Sequence, residues 1–355
     1  MTQPIASLLQ ALPPGTGAVV SDPISRRYLT GFPSSGGFLL AAGVCVLFLT
    51  DSRYVQAARE CITVCPTEEF RKHEQVMEFF QSQDCSTLLF ERKRTTLAEA
   101  ETYRAWTPGI QLDTQATLVD DVLSRLRMTK SAAELTSVRK AQAIAETALE
   151  FILQKIRPGI TEASLALELD YSLRSHGAQA LAFDTIVVSG ENSAKPHGVP
   201  GGRRLQTGDM ITMDFGAVVN GWHSDMTRTV ALGRPNEEQR LVYSAVLEAQ
   251  LAALAAIAPG VDCKAVDAAA RNVIQAAGYA DAFRHGTGHG VGLEIHEAPT
   301  LSPKSETVLA PGQVVTVEPG IYLPDKFGVR IEDMVWVTED GCENLTRAPK
   351  ELLVL

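Results

Sequence analysis

The sequence predicts a two-domain protein: a small α/β unit over residues 1–127, then a larger α+β unit over residues 128–355. Three observations carry that expectation. The length of 355 residues exceeds one ordinary domain. Up to Val122, short apolar runs alternate with helical stretches, which is an α/β pattern. Beyond it, two pairs of segments recur at nearly one spacing, as in an internally duplicated unit.

In the first part, residues 17–20, 38–49 and 87–90 read as buried strands, and residues 54–60 and 68–83 as helices. Ala41-Ala42-Gly43 looks like a turn, so 38–49 is expected as two strands. At about a dozen residues it is also too short to span a bilayer, which needs about 20. Residues 118–127 read as a linking helix. No histidine or carboxylate cluster of metal-ligand type occurs here, so this unit is expected to be non-catalytic.

The second unit opens on Ser131-Ala-Ala-Glu134, a capping box that starts a long helix running to Ile156. Pro158-Gly159 ends it. Ile156-Arg-Pro-Gly-Ile-Thr161 precedes a helix ending at Gly177, and Ile257-Ala-Pro-Gly-Val-Asp262 precedes one ending at Gly278. Leu205-Gln-Thr-Gly-Asp-Met-Ile-Thr-Met-Asp214 matches Leu309-Ala-Pro-Gly-Gln-Val-Val-Thr-Val-Glu318 in the same way. The duplication puts Asp214 and Glu318 at equivalent points of two halves, so a pseudo-two-fold fold brings them together.

Composition excludes several classes. A formal charge of −10 with no basic stripe argues against nucleic acid. The six cysteines form no CxxC pair, as expected of free thiols in a reducing cytoplasm. The N-terminus lacks the basic start and apolar core of a signal peptide.

The chemistry-bearing residues lie in the second unit. Three of the seven histidines fall within twelve residues, His285 to His296, with glycines between them. A helix rejects that many glycines, since each costs about 1 kcal/mol against alanine. A Gly-rich loop with surface histidines and a backbone closing on an ion are both open readings of this stretch. Asn220-Gly221 is a strong hairpin signal. With those two residues as the turn, Gly216 faces Asp225, and Asp214 and Asp225 become diagonal neighbours on one face. Two acids so placed repel unless one is protonated or a cation lies between them.

Near the C-terminus, residues 314–318 and 329–337 read as strands, which puts Arg330 and Glu332 on one face. Glu332 sits among Val329, Ile331, Met334, Val335 and Trp336 and is expected to be buried. A buried carboxylate must be paired, hydrogen-bonded or metal-bound. Arg330 could hold one of its oxygens. Four carboxylates and one imidazole suit a pair of Mn²⁺, Co²⁺ or Zn²⁺ ions.

The set Asp214, Asp225, His289, Glu318 and Glu332 resembles the di-metal site of the pita-bread metallopeptidases, which include methionine aminopeptidase, prolidase and aminopeptidase P. Pro196-His197-Gly, Met213-Asp-Phe-Gly-Ala217, Ser224-Asp-Met-Thr-Arg228, His289-Gly-Val-Gly, Glu318-Pro-Gly-Ile-Tyr322 and Gly328-Val-Arg-Ile-Glu-Asp333 carry the likeness. Arg27-Tyr-Leu-Thr-Gly-Phe32 extends it to a creatinase-type N-terminal domain. The resemblance implies a C-terminal domain with a curved, mainly antiparallel sheet flanked by helices. It implies that Asp225 chelates one ion, that His289 and Glu318 chelate the other, and that Asp214 and Glu332 bridge. Glu318 would also be the general base. His197 and His296 would polarise the scissile carbonyl, His285 would flank the proline-side pocket, and Arg330 and Tyr322 would support the ligands.

By the same resemblance the chain would be a cytoplasmic homodimer carrying two divalent ions, Mn²⁺ ahead of Co²⁺ or Zn²⁺. It would act on short proline-containing peptides. The N-terminal domain and the surround of Glu332 favour the proline-specific branch over methionine aminopeptidase. In short prolidases a basic residue often follows the His-Glu-x-Pro segment; here Thr300 follows, with Lys304 the next cation. That departure favours an Xaa-Pro aminopeptidase acting on longer peptides, with an Xaa-Pro dipeptidase as the alternative. A metal-free creatinase-like hydrolase and an inactive binding module are remoter, because both typically lose several of the five ligands.

Overall fold

The computed structural model describes residues 3–355, and the chain divides into two compact units at Arg127/Met128. The first is built on a six-stranded mixed sheet. Its strands run, edge to edge, Thr67–Glu69, Cys45–Thr50, Phe38–Ala42, Thr16–Val20, Thr87–Phe90 and Gln111–Leu112. The apolar runs are continuous because both faces are covered. Ala18, Val20, Leu39 and Ala41 enter one apolar cluster, while Val19, Leu40 and Ala42 enter the other. Residues 38–49 do split into two strands, but the turn falls at Gly43-Val44, because Ala41 and Ala42 pair with Val46 and Cys45 inside the hairpin.

One expected element is reassigned. Residues 68–83 do not form a single helix: Thr67–Glu69 is an edge strand parallel to Cys45–Thr50, and the helix is Glu74–Ser82. Three further helices were not anticipated. Gln3–Ala11 has an ordinary amphipathic pattern. Pro23–Thr30 follows an Asp22 cap and stops at Gly31, whose φ is 76°. Leu97–Trp106 opens on a capping box of Thr96 and Glu99.

The second unit repeats one plan twice. Helices Ala132–Leu153 and Glu162–Ser175 precede the strands of the first half, and Glu237–Ala256 and Cys263–Ala276 precede those of the second. The Ser131–Glu134 capping box is formed, and the helix ends at Leu153, three residues before Ile156. The backbone wiring repeats too. Gly159 N donates to Leu205 O and Leu205 N to Ile160 O; in the second half, Gly260 N donates to Leu309 O and Leu309 N to Val261 O.

Each half has its own apolar cluster and its own central strand. Met210–Phe215 lies antiparallel between Met226–Ala231 and Ile186–Ser189. Val314–Val317 lies antiparallel between Gly288–Gly290 and Asp333–Val337. The expected single strand 329–337 is interrupted at Ile331 and Glu332. Phe327–Arg330 pairs with Gly320–Leu323, whereas Asp333–Val337 joins the five-stranded sheet. Glu332 N instead donates to Thr227 O at 3.1 Å, which pins the break beside the hairpin of the first half.

Candidate metal centre

The site begins with a hairpin. Asn220 and Gly221 form its turn with φ of 51° and 80°, the left-handed pair that suits right-twisted strands. The register then pairs Val219 with Trp222, Phe215 with Met226 and Asp214 with Thr227. Asp214 and Asp225 therefore share a face, as the turn predicts. Thr227 shares it too and was missed, although it lies two residues beyond Asp225.

The second half supplies His289 from the short strand Gly288–Gly290 and Glu318 from the end of Val314–Val317. The glycines flanking His289 allow close packing of backbones: a Cβ on Gly288 would collide with the Thr316 carbonyl, and one on Gly290 with the Ala298 carbonyl. The Thr316 hydroxyl accepts from His289 N at 3.0 Å and donates to Glu318 Oε1 at 3.4 Å. His289 Nδ1 lies 3.0 Å from Gly290 O, so it carries the ring proton and leaves Nε2 bare. Nε2 lies 3.4 Å from Glu318 Oε1 and 3.6 Å from Asp225 Oδ2.

Arg330 ties the set together, though not as the shared-face argument expected. Its Nη2 donates to Asp214 Oδ2 at 2.6 Å, not to Glu332. Its Nε donates to Thr227 Oγ1, and that hydroxyl donates to Glu332 Oε2 at 2.6 Å. Its Nη1 reaches Tyr322 Oη at 2.8 Å and Pro196 O at 3.2 Å. Tyr322 Oη also lies 3.0 Å from His285 Nε2. One guanidinium thus links Asp214, Glu332 through Thr227, the histidine of the expected proline side, and the loop that carries His197.

Asp214, Asp225, His289, Glu318 and Glu332 line one cavity of about 600 Å³, together with His197, His285, His296 and Arg330. Asp225, His289 and Glu332 each offer an atom lying within 4.8 Å of the others. Asp214 Oδ1 is buried without a hydrogen-bond partner. Such an atom costs about 1–3 kcal/mol unless something binds it. His296 is exposed at the cavity, its ring centroid 4.2 Å from that of His289.

Burial pushes the Asp225 and Glu332 carboxyls well above the ordinary carboxylate range, and the neighbouring acids push the same way. Burial likewise raises Glu318 to about 8. Burial pulls His289 down to about 4, with His296 adding to the effect, so the imidazole is neutral and able to ligate. His285 is also pulled down to about 4 by burial. An orphaned carboxylate oxygen, mutually repelling acids and a neutral imidazole are what a cationic centre relieves, so the residues present fit divalent ions.

A pH-dependent stability follows. The raised carboxyls hold protons in the folded, metal-free chain that the unfolded chain has released, so their contribution falls as pH rises toward about 8. The lowered histidines oppose this only below about pH 6.5, where the unfolded chain takes up their protons. Buried Glu91 of the first unit, raised to about 7, acts with the carboxyls. The thermal midpoint of EDTA-treated protein is therefore expected to drop between about pH 6.5 and 8, and bound divalent ions should remove most of the drop. A metal-free midpoint that rises across that window would contradict the raised carboxyls.

Residues 136–339 match the sequence profile of metallopeptidase family M24, and residues 16–129 match the creatinase/prolidase N-terminal domain. The chain belongs to metallopeptidase family M24. The two matches fall one in each unit, so the two-domain, pita-bread expectation holds, and because M24 is a family of dinuclear metal enzymes the metal-dependent hydrolase expectation holds as well. Among M24 relatives, an Xaa-Pro dipeptidase from Pyrococcus furiosus is 38% identical over 94% of this chain and 94% of its own. An Xaa-Pro dipeptidase structure from Bacillus anthracis superposes with a TM-score of 0.95 at 38% identity, covering 99% of each chain. An X-Pro aminopeptidase structure from Thermotoga maritima gives 0.91 at 34% identity, again over 99% of each.

These names correct the preference drawn from Thr300. Of these three, the two at 38% identity are dipeptidases, which favours the alternative over the aminopeptidase reading. A missing cation after the His-Glu-x-Pro segment was too local a signal to separate the two. Among the described residues, no helix is long and apolar enough to cross a membrane.

Proposed function

We propose that this chain is an Xaa-Pro dipeptidase that hydrolyses the bond between an N-terminal residue and a following proline. The observation that carries the reading is the convergence of five ligand-type side chains and three further histidines on one cavity of about 600 Å³. That volume suits a small molecule. Similarity to named Xaa-Pro dipeptidases over nearly the full chain supports the substrate class.

Asp214, Asp225, His289, Glu318 and Glu332 would hold two divalent ions. The oxygen-rich donor set favours Mn²⁺, with Co²⁺ or Zn²⁺ as substitutes. When bound, such ions supply Lewis acidity that lowers the pKa of water and polarises a carbonyl. The chain's own residues do the rest. Glu318, at the end of Val314–Val317 and on the wall of the same cavity, would take the proton as general base. His197 and His296 line the cavity from opposite halves of the duplicated unit and would donate to the carbonyl oxygen as charge develops on it. Neutral His285, braced by Tyr322, would line the pocket for the proline ring.

An Xaa–Pro bond has no N–H, so recognition falls on the ring and the chain ends. Thr300 and Ser302 are among the residues that line the cavity. The deciding experiment is hydrolysis of Ala-Pro beside Ala-Pro-Ala with Mn²⁺ present. The dipeptide should be cleaved with a kcat/KM at least about tenfold higher, a difference of about 1.4 kcal/mol in transition-state binding. Preferred cleavage of the tripeptide would return the aminopeptidase reading.

A further inference from the structure

We propose that Glu162 is a positioning residue for His197; the inference rests on the reading of His197 as a carbonyl partner. Glu162 is the first residue of helix Glu162–Ser175, and its side chain is fully buried. Its carboxylate has no role in the metal centre and does not line the cavity. Instead it gathers both ends of one loop. Oε1 accepts from Ser189 N and Ser189 Oγ, each at 2.8 Å. Oε2 accepts from Gly201 N at 3.2 Å. The Asn192 amide spans both oxygens at 3.2 Å. Residues 190–200 therefore leave and return to a single buried carboxylate, and His197 is carried on that loop.

His197 is itself exposed, so side-chain packing does not fix it. Its placement depends on what holds the loop. Arg330 fixes the tip through Pro196 O, and the Ser193 hydroxyl accepts from Gly328 N at 2.8 Å and donates to Gly190 O at 2.6 Å. Glu162 holds the base. The other histidine-bearing segment has a parallel device. Buried Asp267 accepts from Thr287 N and Oγ1, and its bidentate partner Arg271 donates to His285 O. In each half, a buried acid on the second helix anchors a segment that brings histidine to the cavity.

Glu162→Gln keeps the size but turns one acceptor into an amide donor facing donors already present. An error of about 1 Å in a catalytic group costs up to about 100-fold. The expected result is a kcat about 10- to 100-fold below wild type, with KM within a few-fold and bound metal unchanged. The discriminating measurement is the double variant with His197→Ala. If Glu162 acts through His197, adding Glu162→Gln to His197→Ala costs almost nothing further.

Wild-type kcat in Glu162→Gln, or an equal loss in both backgrounds, would overturn the proposal. The latter outcome marks a general structural role. His197→Ala alone separates the two layers. Full activity there removes the reading of His197, whereas a large loss there with an innocent Glu162→Gln removes only this inference. If Glu162→Gln does not fold, Asn192→Ala takes its place. It should show a smaller kcat loss that again vanishes with His197→Ala, and wild-type kinetics in it would count against the loop clamp.

Discussion

Glu332→Gln should lower kcat/KM toward Ala-Pro by at least about 10³-fold, which is about 4 kcal/mol of transition-state stabilisation. Protein-bound metal should fall with it. Glu332 is 2% exposed and offers an oxygen within 4.8 Å of ligand atoms from Asp225 and His289. Glutamine fills the same volume and can still accept from the Thr227 hydroxyl, so packing is retained. What it loses is the charge that draws a second cation into a site already crowded with acids. The metal-free variant should melt no lower than metal-free wild type, because one source of buried like-charge repulsion is gone. Metal analysis, peptide hydrolysis and thermal melting of the same preparation test all three points. A variant with full activity and full metal content would remove Glu332 from the ligand set.

His296→Ala should behave in the opposite way. Metal content should stay near wild type while kcat falls about 10²–10³-fold, the cost of losing one donor to a developing oxyanion. His296 lies on the cavity and packs against the His289 ring, yet it is not among the residues whose ligand atoms cluster. KM should move little, since a donor that matters mainly in the transition state contributes little to ground-state binding. Loss of metal in His296→Ala would instead make it a ligand.

The parts of this protein that could be read from sequence are those set by local rules. Asn220-Gly221 dictates a tight turn, and a tight turn dictates register, so the shared face of Asp214 and Asp225 followed without any long-range knowledge. The duplication was readable because its turns use the same Pro-Gly signals, and the paired bridges 159–205 and 260–309 show the same wiring in both halves. Caps were also readable in principle. Asp22-Pro23 and the Thr96–Glu99 box both announce helices that hydrophobic periodicity alone passed over.

What escaped was set by contacts across the sheet. Arg330 and Glu332 do meet, but through Thr227 on a strand about a hundred residues earlier. The strand break at Ile331 and Glu332 releases the backbone to bond Thr227 instead of continuing a ladder. Arg330's choice of Asp214 follows from that geometry and from no neighbour in sequence. Glu162 is a similar case. Its donors at Ser189, Asn192 and Gly201 lie 27 to 39 residues away, and helix-start glutamates are ordinarily solvent-facing caps.

The most direct test of the central claim is to strip the protein with EDTA, return Mn²⁺ stepwise, and follow Ala-Pro hydrolysis and bound metal together. A two-ion hydrolase is inactive when stripped and regains activity as binding approaches two ions per chain. Unimpaired hydrolysis by protein shown to hold no metal would contradict the account.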